Sequence, residues 1–496
     1  MLEASHTHIV LRWAIASRIT LLTLMTMWRS LLSPYDTSAS LDPYCLYLNS
    51  STAISMATAA SADTILFPWI AASIEKSIVW DSVYFIRIAK CGYEYEHFYA
   101  FFPLLPVFIS LLANTVLRPF IPIIGYRAVL ALSGYVINNV AFLVAAVYFY
   151  RLSVRVLKDP DASLRASILF CYNPASIFYS SIYSESLYAL FSIGGLYVLM
   201  SSGKSISVLC FALSGAARSN GVLNAGYFCF QIMHQSYNAI FVKKRAYLFL
   251  QIVIAGVVLC ICILIPFLAF QSYGYYHICR GHSLEEMRPW CKARIPLMYN
   301  FIQSHYWGVG FLRYFQLKQL PNFLLAAPIL SLAACSIYMY VKAGPTNFFN
   351  LGFGSAYKEK KSAAVLSFQR EDIIQKVPNF AAAKQEHQYL KRRLNVRAED
   401  TKEFPAETVA LAKSGYYSID VLPFVLHLGF MAATAFFVMH VQVATRFMSA
   451  SPPLYWFASS LMSSSDSRKW AYLIWVYSAA YILLGSLLFS NFYPFT

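Results

Sequence analysis

The chain has 496 residues, of which 58% are hydrophobic and only 12% are charged, and its mean hydropathy is +0.52. Soluble proteins carry about 25% charged residues, so this composition excludes an ordinary soluble enzyme, a nucleic-acid-binding protein and a disordered chain. The net charge of +16 comes mostly from short basic connections between apolar runs, which is the pattern of cytosolic loops in a polytopic membrane protein.

In chain order, the apolar stretches cover residues 9–32, 101–117, 127–150, 166–179, 184–200, 206–233, 247–270, 323–341, 419–443 and 470–489. A membrane-spanning helix needs about 20 apolar residues, so we predict an all-α polytopic membrane protein with about nine to eleven membrane-embedded segments. Several stretches are shorter or contain Pro or Gly. We expect these to be half-helices or re-entrant segments whose backbone is covered by protein.

Within the first stretch, Arg12 and Arg18 precede the uninterrupted apolar run at residues 19–28, and Arg29 follows it. This pattern fits either a signal anchor or a cleaved signal peptide. Both readings place residues 34–100 in the lumen, where the sequon at Asn49 could be glycosylated.

The basic segments 151–165 and 243–245 predict the rest of the topology, because such segments stay in the cytosol. Residues 101–122 then form an interfacial or re-entrant hairpin, and residues 206–233 enter the membrane and return, with a turn near Arg218. Residues 271–322 face the lumen, and the last two spans return the end of the chain to the cytosol.

Charge density divides the chain into three parts. In residues 344–418, 20 of 75 residues are charged, against about 10% elsewhere, which predicts a soluble, partly disordered or loosely helical cytosolic insertion. We therefore expect a membrane-embedded core at 1–343, with lumenal loops at about 34–100 and 271–322, the insertion at 344–418 and a transmembrane pair at 419–496.

Four of the ten cysteines, Cys45, Cys91, Cys279 and Cys291, fall in the two predicted lumenal loops. An oxidising lumen permits disulfides, and Cys279–Cys291 is the most plausible local pair. Free thiols are the alternative.

The acid–base groups concentrate in one aromatic-rich cluster beside the predicted hairpin. It contains Trp80 and Asp81, followed by Glu94, Glu96 and His97. Since Trp and Tyr favour the headgroup layer, the cluster predicts a polar site at the membrane surface. The alternative is an interfacial aromatic belt with solvated acids.

The Trp80-Asp81 pair resembles the hallmark of the GT-C class of glycosyltransferases, which use polyprenyl-phosphate sugars. Further segments resemble the PIG-V family, the second mannosyltransferases of GPI-anchor assembly, over nearly the whole chain except 344–418. These segments are Ala100-Phe101-Phe102-Pro103, Asn173-Pro174-Ala175-Ser176, Tyr183-Ser184-Glu185, Ala217-Arg218-Ser219-Asn220-Gly221 and Gln303-Ser304-His305-Tyr306-Trp307-Gly308-Val309-Gly310-Phe311, continuing to Pro321-Asn322-Phe323.

The resemblance implies a GT-C-like helix bundle with lumenal catalytic loops in the endoplasmic reticulum membrane. It implies transfer of an α-1,6-linked mannose from dolichyl-phosphate mannose to a mannosylated glucosaminyl-phosphatidylinositol acceptor. The donor is a substrate, and no cofactor, metal or nucleic-acid partner is expected. A small accessory membrane subunit is left open.

Inversion from a β-linked donor to an α-linked product calls for one general base, and Asp81 is our candidate. The departing phosphate needs positive charge, for which Arg218, His305 and Arg313 are candidates. The remaining candidates, which would bind the acceptor or line the cavity, are Trp80, Glu94, Glu96, His97, Glu185, Asn220, Tyr306 and Trp307.

Each of these secondary assignments has a structural alternative. Glu185 lies inside an apolar span, where it could face the cavity or pair with Arg218 to stabilise the fold. For Glu94, Glu96 and His97, the equal alternative to acceptor binding is that they are solvated loop residues. Trp307 could stack on a sugar or anchor its loop.

Three other functions compete with this prediction. Another dolichyl-phosphate-sugar transferase would differ in its acceptor. A secondary transporter would be expected to have paired repeats and ionisable residues at the membrane midplane, which the sequence lacks. A non-catalytic subunit of a transferase complex would function without Asp81.

Overall fold

A computed structural model describes residues 2–35, 45–46, 65–280, 287–353, 415–463 and 468–493. Within these ranges the regular structure is helical and contains no strand. The α-helices are α1 Leu2–Leu31, α2 Pro68–Glu75, α3 Asp81–Cys91, α4 Leu104–Asn114, α5 Ile121–Ile124, α6 Tyr126–Leu157, α7 Pro160–Cys171, α8 Ser176–Ser180, α9 Glu185–Met200, α10 Lys204–Ala217, α11 Ala225–Tyr237, α12 Ala246–Cys279, α13 Met298–Tyr306, α14 Leu320–Ala343, α15 Pro345–Phe349, α16 Leu422–Phe437, α17 Ala444–Met448, α18 Pro452–Ser463 and α19 Arg468–Ser490.

The helices confirm an all-α polytopic membrane protein. Six of those described are long and apolar enough to cross a membrane, and α4 with the helical segment 118–124 forms a bent pair, with an angle of 69°, that counts as a seventh span or a re-entrant loop. The bend lies inside the predicted hairpin. Shorter apolar helices, α9 and α10, add to the bundle.

The bundle has two distinguishable ends. The end that contains Lys158, which we call the basic end, also holds both borders of the charged insertion, because Asp420 pairs with Lys158 at 2.9 Å and the Gly415 N–H donates to the Leu157 carbonyl. Leu351 accepts a hydrogen bond from His234 at this end. The opposite end, which we call the site end, contains Asp81 and Arg218. The insertion itself and the sequon at Asn49 lie outside the described residues.

The predicted reversal near Arg218 is present. Helix α10 ends at Ala217, a 3₁₀ turn covers Ser219–Asn224, and α11 then runs back toward Lys243. The turn packs tightly, since a Cβ on Gly221 would lie 2.2 Å from the Ser214 backbone. This close approach requires glycine.

The last part of the chain contains two helices long and apolar enough to span a membrane, Ile419–Phe437 and Lys469–Ser490, but the second runs toward the site end and does not return the chain to the basic end. Between α16 and α19 lies a third segment, α17 and α18, which runs from the site end back to the basic end, where Arg165 donates to Ser463. Helix α19 therefore begins at the basic end and finishes beside Trp80, whose Nε1 donates to the Phe489 carbonyl. The basic pair Arg468-Lys469 at the start of α19 agrees with this direction.

Helix α1 packs against α6, α7 and α19, so it is part of the bundle. Its Arg18 is buried and donates to the Ser176 and Cys171 carbonyls and to the Ser180 hydroxyl. The guanidinium also lies 3.8 Å from the Phe142 ring centroid. These contacts favour a retained anchor over a cleaved signal peptide.

Both loops at the site end are cross-linked. Cys279 pairs with Cys291 as predicted, and Cys45 pairs with Cys91. The second disulfide ties the end of α3, the helix that begins with Asp81, to the segment before it. Both bonds restrict the unfolded chain and hold the loops near the site.

Candidate active site

Asp81 stands at the first turn of α3, where the helix dipole favours a negative charge. The preceding residue, Trp80, has φ of 54°, which is uncommon for a bulky side chain. Two hydrogen bonds hold this backbone, from Trp80 Nε1 to the Phe489 carbonyl at 3.2 Å and from the Asp81 N–H to the Tyr183 hydroxyl at 3.1 Å. The carboxylate is thereby directed into a cavity.

The cavity has a volume of about 200 Å³ and lies at the site end of the bundle. Its wall is built from α3, the turn after α10, α13 and the segment between α16 and α17. The polar and charged side chains that line it are Asp81, Tyr183, Ser184, Glu185, Arg218, Ser219, Asn220, Tyr299, Gln303, Trp307, His440 and Arg446.

Two carboxylates and two arginines alternate across this cavity. Arg446 Nη1 lies 3.3 Å from Asp81 Oδ2, and Arg446 Nε lies 3.6 Å from Glu185 Oε1. Arg218 pairs with Glu185 on the other side. The Glu185 side chain is 2% exposed and the Asp81 side chain is 31% exposed, so Asp81 is the carboxylate that a substrate can reach.

Burial raises the pKa of Asp81, the nearby positive charge of Arg446 opposes the rise, and the Glu185 carboxylate adds to it. The net direction is upward from the ordinary value. A carboxylate whose pKa lies closer to the working pH is a stronger base. The site therefore offers a proton acceptor beside the cationic Arg446.

Asn220 is a further polar residue of the cavity that could contact a substrate. Its side chain is buried, with 6% exposed, and neither amide atom has a hydrogen-bond partner in the described structure. Buried amides are normally hydrogen-bonded, and Asn220 lines the cavity. Nearby, the Tyr299 hydroxyl donates to Ser219 at 2.8 Å.

Several predicted site residues join this cavity. Asp81, Glu185, Arg218, Asn220 and Trp307 all line it. Glu185 combines both readings of its role, since it faces the cavity and also pairs with Arg218. Trp307 does the same, because its ring lines the cavity while its carbonyl lies 2.6 Å from His440 Nε2 and anchors the loop.

Glu94 does not line the cavity. Its side chain is fully buried, pairs with Arg87 at 2.6 Å and accepts from the Leu46 N–H. Burial of a carboxylate requires such pairing. Glu94 therefore holds the end of α3 against the preceding segment.

Glu96 and Tyr306 form a cluster outside the cavity. Glu96 accepts from Trp290 Nε1 and from the Tyr306 hydroxyl, each at 2.7 Å, and pairs with Arg288. Burial raises the pKa of Glu96, but these donors outweigh it and the net direction is downward. His97 stacks on Tyr95 beside this cluster.

His305 and Arg313 were predicted to bind the donor phosphate, and the structure does not place them there. Both are exposed and neither lines the cavity. His305 stacks on Phe301 at 5.0 Å. Trp80, predicted to line the cavity, instead positions Asp81 through its indole hydrogen bond.

Arg446 was missed by the sequence analysis. It lies just beyond the stretch at 419–443 and belongs to none of the segments on which the family resemblance rests. The signal was available as a lone Arg between two apolar segments, since an ionisable residue at membrane depth is costly and is kept for function.

These features define the class of protein. A bundle of membrane helices that holds a reachable carboxylate and two arginines in one cavity at its edge has the groups that general-base chemistry on an anionic substrate requires.

The family follows from similarity. Residues 7–496 match the family model described as Mannosyltransferase (PIG-V), so the chain belongs to this family of mannosyltransferases. The GPI alpha-1,6-mannosyltransferase 2 of Homo sapiens is 31% identical over 78% of this chain and 73% of its own length. The GPI mannosyltransferase 2 of Drosophila pseudoobscura pseudoobscura is 28% identical over 87% of this chain and 89% of its own length.

Among solved structures, the oligosaccharyltransferase AglB from Archaeoglobus fulgidus superposes on 97% of this chain and 56% of its own, with a TM-score of 0.37 and 13% identity. That similarity is too distant to bear on function.

Proposed function

We propose that this enzyme transfers mannose from dolichyl-phosphate mannose to the GPI-anchor precursor, forming the α-1,6 linkage of the second mannose on the lumenal face of the endoplasmic reticulum. The observation that carries the proposal is the reachable Asp81 carboxylate paired with Arg446, in a cavity that Arg218 also lines, in a family of mannosyltransferases. The names of the relatives support the acceptor and the linkage.

The reaction is a single displacement at the anomeric carbon. Asp81 accepts the proton of the acceptor hydroxyl. At the same time, the oxygen of that hydroxyl attacks the anomeric carbon on the face opposite the phosphate. The new C–O bond forms as the bond to the phosphate oxygen breaks, and dolichyl phosphate leaves with the electron pair. Inversion converts the β-linked donor into an α-linked product.

The leaving phosphate is stabilised by arginine. Arg446 and Arg218 are the arginines that line the cavity beside Asp81. Arg218 keeps the role predicted for it together with His305 and Arg313, and Arg446 is added to it. Arginine suits a phosphate because its planar donors can bind two oxygens together. Asn220 offers two further unpaired polar atoms to the substrates.

Charge distribution supports a lumenal site. The basic end of the bundle carries the Lys and Arg that the positive-inside rule places in the cytosol, so the site end faces the lumen. The two disulfides at the site end agree, because an oxidising compartment permits them. A small accessory membrane subunit remains part of the proposal on the family resemblance alone.

The test is transfer by membranes from cells that lack their own second GPI mannosyltransferase. Radiolabelled dolichyl-phosphate mannose and the mannosylated glucosaminyl-phosphatidylinositol acceptor are supplied to membranes that contain wild type, Asp81→Asn or Asp161→Asn. We expect Asp81→Asn to lose about 10²–10⁴-fold in rate, the contribution of a positioned base. Asp161 is an exposed carboxylate on α7, so its variant should match wild type.

Two results would contradict the proposal. Wild-type membranes that transfer no mannose to this acceptor would remove the assigned reaction. Full activity of Asp81→Asn at matched protein level would remove Asp81 as the base and leave the reaction intact.

A further inference from the structure

A polar pocket of about 210 Å³ lies between α11 and α12, beside the first residue of α10. It shares no lining residue with the active-site cavity. Among the residues that line it are one cation and three amides, Lys204, Gln231, Gln235 and Gln251. We call it the glutamine pocket.

The polar and apolar parts of the pocket lie at different depths. Helix α11 approaches the basic end as it runs from Phe228 to Gln235. Helix α12 leaves that end as it runs from Gln251 to Leu259. Lys204 begins α10, whose last residue lies at the site end. The charged and amide groups therefore lie nearest the basic end, and Phe228 and Leu259 lie deeper in the bundle.

The helices around the pocket carry cations and no carboxylate. Between Glu185 and Glu285 the sequence contains no Asp or Glu, and the basic segment 243–245 connects α11 to α12. Lys204 stands in the first turn of α10, at the positive end of the helix dipole. In the described structure that turn has neither an acidic residue nor a side-chain cap. Two positive groups at one place favour an anion.

Gln231 supplies an independent observation. Its side chain is 3% exposed, and its Nε2 has no hydrogen-bond partner among the described residues. Buried amide donors are normally hydrogen-bonded, and Gln231 lines the pocket. An anion with oxygen acceptors, bound in the pocket, would complete this hydrogen bond.

We propose that the glutamine pocket binds an anionic phospholipid from the leaflet at the basic end. The headgroup phosphate lies against Lys204 and Gln231, and an acyl chain follows Phe228 and Leu259. Lysine binds phosphate as a point charge, and amide N–H groups supply further donors. The pocket lies at the end of the bundle opposite Asp81, so the inference does not rest on the reaction proposed above.

The surroundings of the pocket favour a lipid over a soluble phosphate. Helix α12 is the most apolar of the candidate spans, with a mean hydropathy of 3.1. Its Ile254 and Val258 are exposed between and beside the pocket residues of the same helix. A soluble phosphate would contact the polar part of the pocket only, whereas a phospholipid matches both parts.

A bound lipid links three helices. It contacts α10 through Lys204, α11 through Gln231 and α12 through Leu259. Helices α10 and α11 are joined at the other end by the turn after Arg218. The lipid therefore stabilises the pair of helices that presents this turn to the active site.

The experiment follows thermal unfolding of the purified full chain in a neutral detergent. Phosphatidylserine, phosphatidylcholine or inorganic phosphate is added at matched concentrations. A ligand that binds only the folded state raises the unfolding midpoint as its concentration exceeds the Kd. We expect phosphatidylserine to raise the midpoint and the other two to leave it unchanged. An equal rise with inorganic phosphate would assign the pocket to a soluble anion, and an equal rise with phosphatidylcholine would remove the role of charge. Either result would overturn the proposal.

Lys204→Glu tests the cation without threatening the fold. It should raise the Kd for phosphatidylserine by about tenfold or more, because repulsion replaces a hydrogen bond between charged groups. A glutamate in the first turn of α10 is favoured by the helix dipole, so the lipid-free protein should unfold no earlier than wild type. Lys342→Glu is the matched charge reversal, since Lys342 is exposed in the last turn of α14 and lies outside the pocket. It should keep the wild-type Kd.

Gln231→Met removes the amide at nearly constant volume. It should raise the Kd for phosphatidylserine by about tenfold, the effect of one hydrogen bond to a charged group. The lipid-free midpoint should stay the same or rise, because an unpaired buried donor is lost. A glutamine with a structural role only would instead lower that midpoint and leave the Kd unchanged. An unchanged Kd in Gln231→Met and Lys204→Glu, or an equal increase in Lys342→Glu, would overturn the proposal.

Discussion

The segment from Asp81 to Glu96 contains three carboxylates with two different kinds of surroundings. Glu94 and Glu96 are enclosed by donors: Arg87 and the Leu46 N–H surround the first, and Arg288, Trp290 Nε1 and Tyr306 surround the second. Asp81 has one ion-pair partner, Arg446, and keeps an open side toward the cavity.

The difference separates structural carboxylates from a reactive one. A carboxylate whose lone pairs are all taken by hydrogen bonds stabilises a fold but has no capacity to accept a substrate proton. The opposite pKa directions of the two groups express this, since the donors around Glu96 lower its pKa while burial raises that of Asp81. Proximity in sequence to a hallmark motif says little about which carboxylate reacts.

The first variant removes the arginine that pairs with Asp81. Arg446→Gln should reduce kcat by about 10²–10³-fold, the usual cost of removing one group that stabilises developing negative charge. The variant also leaves Asp81 and Glu185 without the arginine between them. The measurement is mannose transfer in membranes with matched protein content.

Arg313→Gln is the control for this change, because Arg313 is exposed and lies outside the cavity. We expect it to retain wild-type activity. Equal losses in the two variants would restore Arg313 as a phosphate ligand and weaken the case for Arg446.

On the structural side of the comparison, Glu96→Gln should lower stability more than it lowers the chemical rate. It replaces hydrogen bonds to a charged group, each worth about 1.5–3 kcal/mol, and the stability of the detergent-solubilised protein can be followed by thermal unfolding. The rate should stay within about tenfold of wild type, because a positioning change of about 1.4 kcal/mol has that effect.

Glu75→Gln is the matched control for Glu96→Gln. Glu75 lies 4.0 Å from Arg127, and both side chains are more than a third exposed. This surface pair should therefore add little to stability. A loss of activity in Glu96→Gln as large as that in Asp81→Asn would place Glu96 in the chemistry.

The smallest effect concerns pH. The kcat/KM of the wild type should fall as the pH drops through the pKa of Asp81, because a protonated carboxyl cannot accept the hydroxyl proton. Burial raises this pKa above the ordinary value of 3.8 and Arg446 opposes the rise. The residual activity of Arg446→Gln should therefore show its acid limb at higher pH than wild type.

Arg313→Gln should leave the acid limb where it is. A limb that moves to lower pH in Arg446→Gln would mean that the titrating group is not a carboxylate paired with this arginine.

Local sequence patterns predicted much of the site, but only where its residues come from marked segments. Asp81, Arg218 and Glu185 belong to motifs and lie together. Arg446 is 365 residues from its partner Asp81, and this pairing is created by tertiary packing alone. His305 and Arg313 lie outside the cavity, which the sequence did not reveal, because a charge near a motif does not give the direction in which its side chain points.

The fold was predictable for long apolar runs and for segments with clear basic flanks. The reversal near Arg218 followed from the charges at 151–165 and 243–245. The segment with α17 and α18 was missed because Ser449–Pro453 interrupts its apolar pattern, and the direction of α19 changed with it.

The contact between Trp80 and Phe489 also sets a schedule for the enzyme's biogenesis. The two residues are 409 positions apart, and at 5–20 residues per second a ribosome needs roughly 20–80 s to make the intervening chain. Until α19 has been inserted, Trp80 lacks the Phe489 carbonyl that accepts its hydrogen bond. Arg446 is synthesised only shortly before α19. For most of its synthesis, the nascent chain therefore has no assembled active site that could act on the lipid substrates in the membrane.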